Sequence, residues 1–162
     1  MDPEIYTTFS EDETIELGRK FAERLHLGDI VTLYGELGAG KTEFVKGVCD
    51  YFRVSDIVSS PTYTIMNQYD GENRDHDALK IYHVDLFRIK TPAELEEIGF
   101  EDCMYSHNSI KLVEWAERAT GHLPTSRFNI VFQPSDDNEN KREIRIEHVD
   151  SVIETLPTQS PA

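Results

Sequence analysis

The sequence predicts an α/β fold, a single domain in which a mixed central sheet is flanked by helices. Three observations carry that expectation. A strand-like run, a glycine-rich loop and a helical segment follow one another between residues 29 and 52. Further short runs rich in β-branched and aromatic residues recur along the chain, several with period-two alternation. The length of 162 residues is enough for one core and too short for two ordinary domains. The domain is expected over residues 1–154, with the polar stretch 155–162, "TLPTQSPA", as a disordered tail.

From the N-terminus, Ser10 and Glu13 form a capping box, and Ile15, Leu17, Phe21, Ala22 and Leu25 recur at mostly helical spacing, predicting a helix over 11–26. "DIVTLY" (29–34) is a nearly continuous apolar run, the pattern of a strand buried on both faces, and it ends on Gly35. "TEFVKGVCDYF" (42–52) reads as a helix with Phe44, Val45, Val48 and Phe52 inward. Further strands are predicted at 62–69, 80–87, 110–115, 128–132 and 143–149. "TPAELEEIGFEDCM" (91–104) reads as one helix, with Thr91 as N-cap, Pro92 at the first helical position and Gly99 near its end. The acidic segments 70–78 and 134–141 read as hairpin loops.

Acidic residues outnumber basic ones 31 to 16, a formal charge of -15. Such a surface repels nucleic acid and anionic membranes, so no direct nucleic-acid contact is expected. No positively charged leader is seen, and no apolar run approaches the roughly 18 residues of a membrane span. The expectation is a cytoplasmic protein with no membrane association. Cys49 and Cys103 lie far apart without C-x-x-C spacing and read as two reduced thiols.

Gly35, Gly40, Lys41 and Thr42 fit G-x-x-x-x-G-K-[ST]. The glycines let successive backbone N–H groups point at one anion, Lys41 reaches the outer phosphates, and the Thr42 hydroxyl ligates magnesium at a helix start. The predicted strand before the motif and helix after it make the expected fold P-loop NTPase-like. A guanine-reading N-K-x-D is absent, since "NKRE" (140–143) ends in Glu, and Asp85 is followed by "LFR" rather than the spacing of D-x-x-G. ATP/ADP is therefore the expected nucleotide, with Mg2+.

Magnesium sites of this kind need carboxylates at the carboxyl ends of neighbouring strands. Asp85 ends "IYHVD" and Glu114 ends the apolar part of "IKLVEW". His83, on the same strand face as Asp85, is expected to support that carboxylate structurally. The hydroxyl-rich "SSPTYT" (59–64) stands about where switch segments of nucleotide hydrolases approach the γ-phosphate.

The blocks "LYGELGAGKTEF", "SPTYTIMNQY", "IYHVDLFRI", "PAELEEIGFEDCM" and "IKLVEWAER", in this order, resemble the bacterial TsaE (YjeE) family, the ATPase component of tRNA threonylcarbamoyladenosine biosynthesis. The resemblance covers about residues 8 to 150. It implies an ATPase that works with TsaB-like and TsaD-like proteins, TsaD making the transfer to the adenosine beside the anticodon. It further implies that Leu37, Gly38, Ala39, Gly40, Lys41 and Thr42 hold the phosphates. Thr42 and Glu114 would coordinate magnesium, with Asp85 as the Walker-B-like acid near the metal. Lys41, Asp85, Ser60 and Thr62 would serve hydrolysis, the last two as switch residues. Glu11 and Arg142 would touch the adenosine end, and Trp115 would lie beside the metal site.

Two departures stand out. Glu43 replaces the Thr or Ser usual in the family and is expected to face solvent, and the 70–78 loop is longer and more acidic. No arginine finger is evident within the motifs, although Arg88 is a candidate, so slow hydrolysis that quickens in complex is expected. The competing readings are a small-molecule P-loop kinase, against which the lack of a basic lid segment counts, and a nucleotide-gated binding module.

Overall fold

Continuous apolar runs go to the centre of a sheet and alternating runs to its margins, because only central strands are covered on both faces. The computed structural model describes residues 3–61 and 64–149. Along the chain the elements are β1 (Glu4–Thr8), α1 (Glu11–Ala22), β2 (Ile30–Tyr34), α2 (Lys41–Tyr51), β3 (Met66–Glu72) and β4 (Ala78–Asp85). They continue as α3 (Pro92–Glu97), α4 (Phe100–Met104), β5 (Ser109–Glu114), a 3-10 turn at Ala116–Ala119, β6 (Arg127–Pro134) and β7 (Arg142–Val149). The seven strands form one sheet in the order β1-β7-β6-β2-β5-β4-β3. β6, β2, β5 and β4 run parallel, while β3, β7 and β1 pair antiparallel at the two margins. The mixed α/β architecture expected from the sequence is the one observed.

One face of the sheet carries α1 and α2 over a core of Phe21, Phe44, Val48, Leu33, Ile81, Leu112 and Ile130. The other carries α3, α4 and the 3-10 turn over Val84, Leu95, Phe100, Met104 and Val113. The two long helices touch backbone to backbone. A Cβ on Gly47 would lie 1.9 Å from the Ile15 carbonyl oxygen, and one on Gly18 2.2 Å from that of Phe44. Glycine at both positions therefore sets how close α1 comes to α2, and with it where the start of α1 stands relative to the phosphate loop.

Several expected boundaries move. The first helix stops at Ala22, and Leu25 reaches the core through a tight turn in which its N–H bonds the Ala22 carbonyl. The segment 91–104 is two short helices, because Gly99 takes a left-handed conformation (φ 69°) that interrupts the helical bonds. The strand expected at 62–69 starts at Met66 and runs to Glu72, so the turn of its hairpin lies between Glu72 and Ala78. β1 was not anticipated; it alternates an outward Ile5 with inward Tyr6 and Thr8 and is held by β7. The 155–162 tail lies outside the described residues.

Candidate active site

β2 sits between β5 and β6, and the loop that leaves its carboxyl end curls back into the start of α2. Gly40 is the N-cap of α2 with φ 107°, a conformation that costs a residue with a Cβ. At Gly35 a Cβ would come within 2.9 Å of the Phe132 carbonyl oxygen. The first helical bond of α2 runs from the Phe44 N–H to the Gly40 carbonyl. The N–H groups of Gly40, Lys41, Thr42 and Glu43 thus have no acceptor within the helix and are available to an anion. Ala39 is buried against the core, while Leu37 at the loop tip is 72% exposed.

Lys41 is 4% exposed. Its ammonium donates to the Gly35 carbonyl at 2.5 Å and lies 4.3 Å from the centre of the Trp115 ring. Burial pushes its pKa down from 10.5, opposed by the charges of Glu114, Asp85 and Glu117. Trp115 itself stands in left-handed backbone (φ 58°) directly after Glu114, with the Phe87 ring packed against it at 5.0 Å between centres and tilted by 54°.

Asp85 and Glu114 are direct register partners at the carboxyl ends of β4 and β5, and both are buried. Ser60 donates its hydroxyl to Asp85 Oδ2 (2.9 Å) and the Phe87 N–H donates to Oδ1 (2.9 Å). His83, fully buried, donates Nε2–H to Glu114 Oε2 at 2.6 Å, its Nδ1 having no partner among the described residues. The expectation that His83 supports Asp85 is corrected by this contact. Residue 83 does share a strand face with residue 85, but the neighbouring strand brings Glu114 to the same face and within reach.

Glu11 and Arg142, far apart in sequence, meet at the loop. With Ser10, Thr14, Gly38, Gly40, Glu43 and Asn140 they line a cleft of about 160 Å3. Arg142 opens β7 and donates to the carbonyls of Gly38 (3.1 Å), Lys141 and Glu139. Glu43, expected to face solvent, is half-buried in the cleft wall instead. Arg88 is exposed just beyond Asp85. Thr62 lies outside the described residues.

The carboxylates Asp85 and Glu114 and the Thr42 hydroxyl are hard oxygen donors, which suit magnesium better than a soft metal. Among the described residues no three His, Cys, Asp or Glu side chains are placed to hold a metal ion. Magnesium keeps most of its waters and needs only one or two protein carboxylates beside phosphate, so the donor set fits it. Neither cysteine is poised for chemistry, since burial pushes Cys49 up to about 12 and Cys103 to about 11.

A family model described as "Threonylcarbamoyl adenosine biosynthesis protein TsaE" matches residues 8–144. The chain belongs to the TsaE family. It is 36% identical to the TsaE protein of Bacillus subtilis over 93% of this chain and 89% of that protein. It is 33% identical to that of Rickettsia conorii, over 93% of this chain and 83% of the relative. Both relatives bear the name tRNA threonylcarbamoyladenosine biosynthesis protein TsaE. The crystal structure of YdiB from Bacillus subtilis superposes with a TM-score of 0.73 at 29% identity, over 98% of this chain and 93% of that one. The P-loop NTPase-like fold expected from the glycine loop is thus shared with a TsaE-type structure.

Proposed function

We propose that this protein is the magnesium-dependent, ATP-binding and slowly ATP-hydrolysing component of the tRNA threonylcarbamoyladenosine machinery, acting on a complex of TsaB-like and TsaD-like proteins. The observation that carries the reading is the convergence of the phosphate loop, Lys41, Asp85 and Glu114 at one end of the parallel strands, in a chain whose relatives are named for this modification. The strongly acidic composition favours work on protein partners over direct binding of the tRNA. A cytoplasmic site of action goes with that role, and no helix among the described residues is long and apolar enough to cross a membrane.

In this reading the unspent N–H groups at the start of α2 and the Lys41 ammonium bind the phosphates and meet the charge that develops on them. Glu11 and Arg142 hold the nucleoside side of the cleft. Thr42 and Glu114 would hold Mg2+, with Asp85 beside them; when bound, the ion supplies charge neutralisation on the outer phosphates. His83 fixes Glu114 in place, and Ser60 fixes Asp85, which orients the attacking water; Thr62 takes its switch role from the family resemblance alone. The sequence offers no basic segment that would serve as a lid to exclude water and complete a kinase site, so transfer to water is preferred over transfer to a metabolite hydroxyl.

The test is co-purification of tagged protein with TsaB-like and TsaD-like partners, with and without ATP. Retention of both partners that strengthens with ATP is expected. Loss of interaction under both conditions contradicts the reading.

A further inference from the structure

Glu43 is the third residue of α2, counted from the Gly40 cap, and belongs to the first turn, whose backbone N–H groups would receive phosphate. It lines the cleft, and among the described residues no hydrogen bond or ion pair ties down its carboxylate. The same cleft takes in the start of α1, through Ser10 and Glu11, so two helix N-termini converge on it beside Arg142; the first turn of α1 carries Glu11, Asp12 and Glu13, and that of α2, where the phosphates would sit, carries Glu43. A carboxylate in a first helical turn stabilises that turn when nothing else is bound. The same charge repels an incoming phosphate.

We propose that Glu43 is a resident anion of the phosphate site: it stabilises the empty loop and weakens binding of the nucleotide phosphates. This rests on the nucleotide-binding reading above. The two effects have opposite signs, which separates the idea from a merely structural role. Removing the charge lowers the stability of the empty protein and tightens phosphate binding. A residue that only supports the helix would, on removal, lower both.

The experiment compares the parent protein with Glu43→Gln and Glu43→Asp, using ADP and inorganic pyrophosphate as ligands in calorimetry and thermal unfolding without ligand. For Glu43→Gln, affinity for both ligands is expected to rise about three- to tenfold, more at low salt than at high, while Tm falls by about 1–4 °C. Glu43→Asp, which keeps the charge, is expected to stay within about twofold of the parent. If the parent binds ligand and Glu43→Gln binds it no more tightly, the proposal is overturned and the nucleotide reading stands. If the parent binds neither ADP nor pyrophosphate, the nucleotide reading fails and the proposal with it.

Discussion

The ammonium of Lys41 rests 4.3 Å from the centre of the Trp115 ring while donating to the Gly35 carbonyl. In the proposed reading, phosphate draws the ammonium outward, because a double-charged oxygen cluster outcompetes a ring face and one carbonyl. Trp115 is the single tryptophan of the chain. Its emission is therefore expected to change saturably on ADP addition, with the midpoint seen by calorimetry. An unchanged spectrum under conditions where calorimetry records binding contradicts this geometry.

The Lys41 contact also sets a pH dependence. Burial holds the free-state pKa below 10.5, and a bound phosphate raises it again, so binding takes up a proton in the alkaline range. ADP affinity is then expected to fall as pH rises through the depressed pKa toward 10.5. Calorimetry in buffers of different ionisation enthalpy reads the proton uptake directly, and proton release would give the opposite slope.

His83→Ala leaves the buried Glu114 carboxylate without the partner 2.6 Å away. The variant is expected to lose about 1–3 kcal/mol in urea unfolding. It is also expected to need about tenfold more magnesium for half-maximal ADP binding, as when a group orienting a metal ligand is removed. A variant with parental stability and magnesium dependence would show that the His83–Glu114 contact matters to neither.

At the crossing of α1 and α2, a methyl on Gly47 would meet the Ile15 carbonyl oxygen at 1.9 Å, and backbone cannot step aside as a flexible side chain can. Gly47→Ala is expected to destabilise by about 1–3 kcal/mol or more, measured by urea unfolding. Because the crossing also sets Glu11 against the loop, nucleotide affinity is expected to fall with it.

The central strands are legible in sequence because β2 reads as a nearly continuous apolar run and β5 carries Ile110, Leu112 and Val113, although Ser109, Lys111 and Glu114 are buried with them. The phosphate loop was legible because its chemistry needs glycine, lysine and threonine at fixed spacing. β1 was not, since an edge strand five residues long becomes a strand only against β7, from the other end of the chain. The sequence puts Gly99 near a helix end, but whether it ends one helix or separates two depends on its backbone angle, which composition does not reveal. The partner of His83 and the place of Glu43 depend on register between β4 and β5 and on the packing of α1 against α2. Local pattern carries neither.

Whether this chain is a partner-stimulated ATPase is read from phosphate release from ATP, followed with the protein alone and with TsaB-like and TsaD-like partners. Slow release alone, clear acceleration by the partners, and loss of both in Asp85→Asn with ADP binding retained are expected. Rapid turnover by the isolated protein that partners leave unchanged, or full activity in Asp85→Asn, would contradict the account.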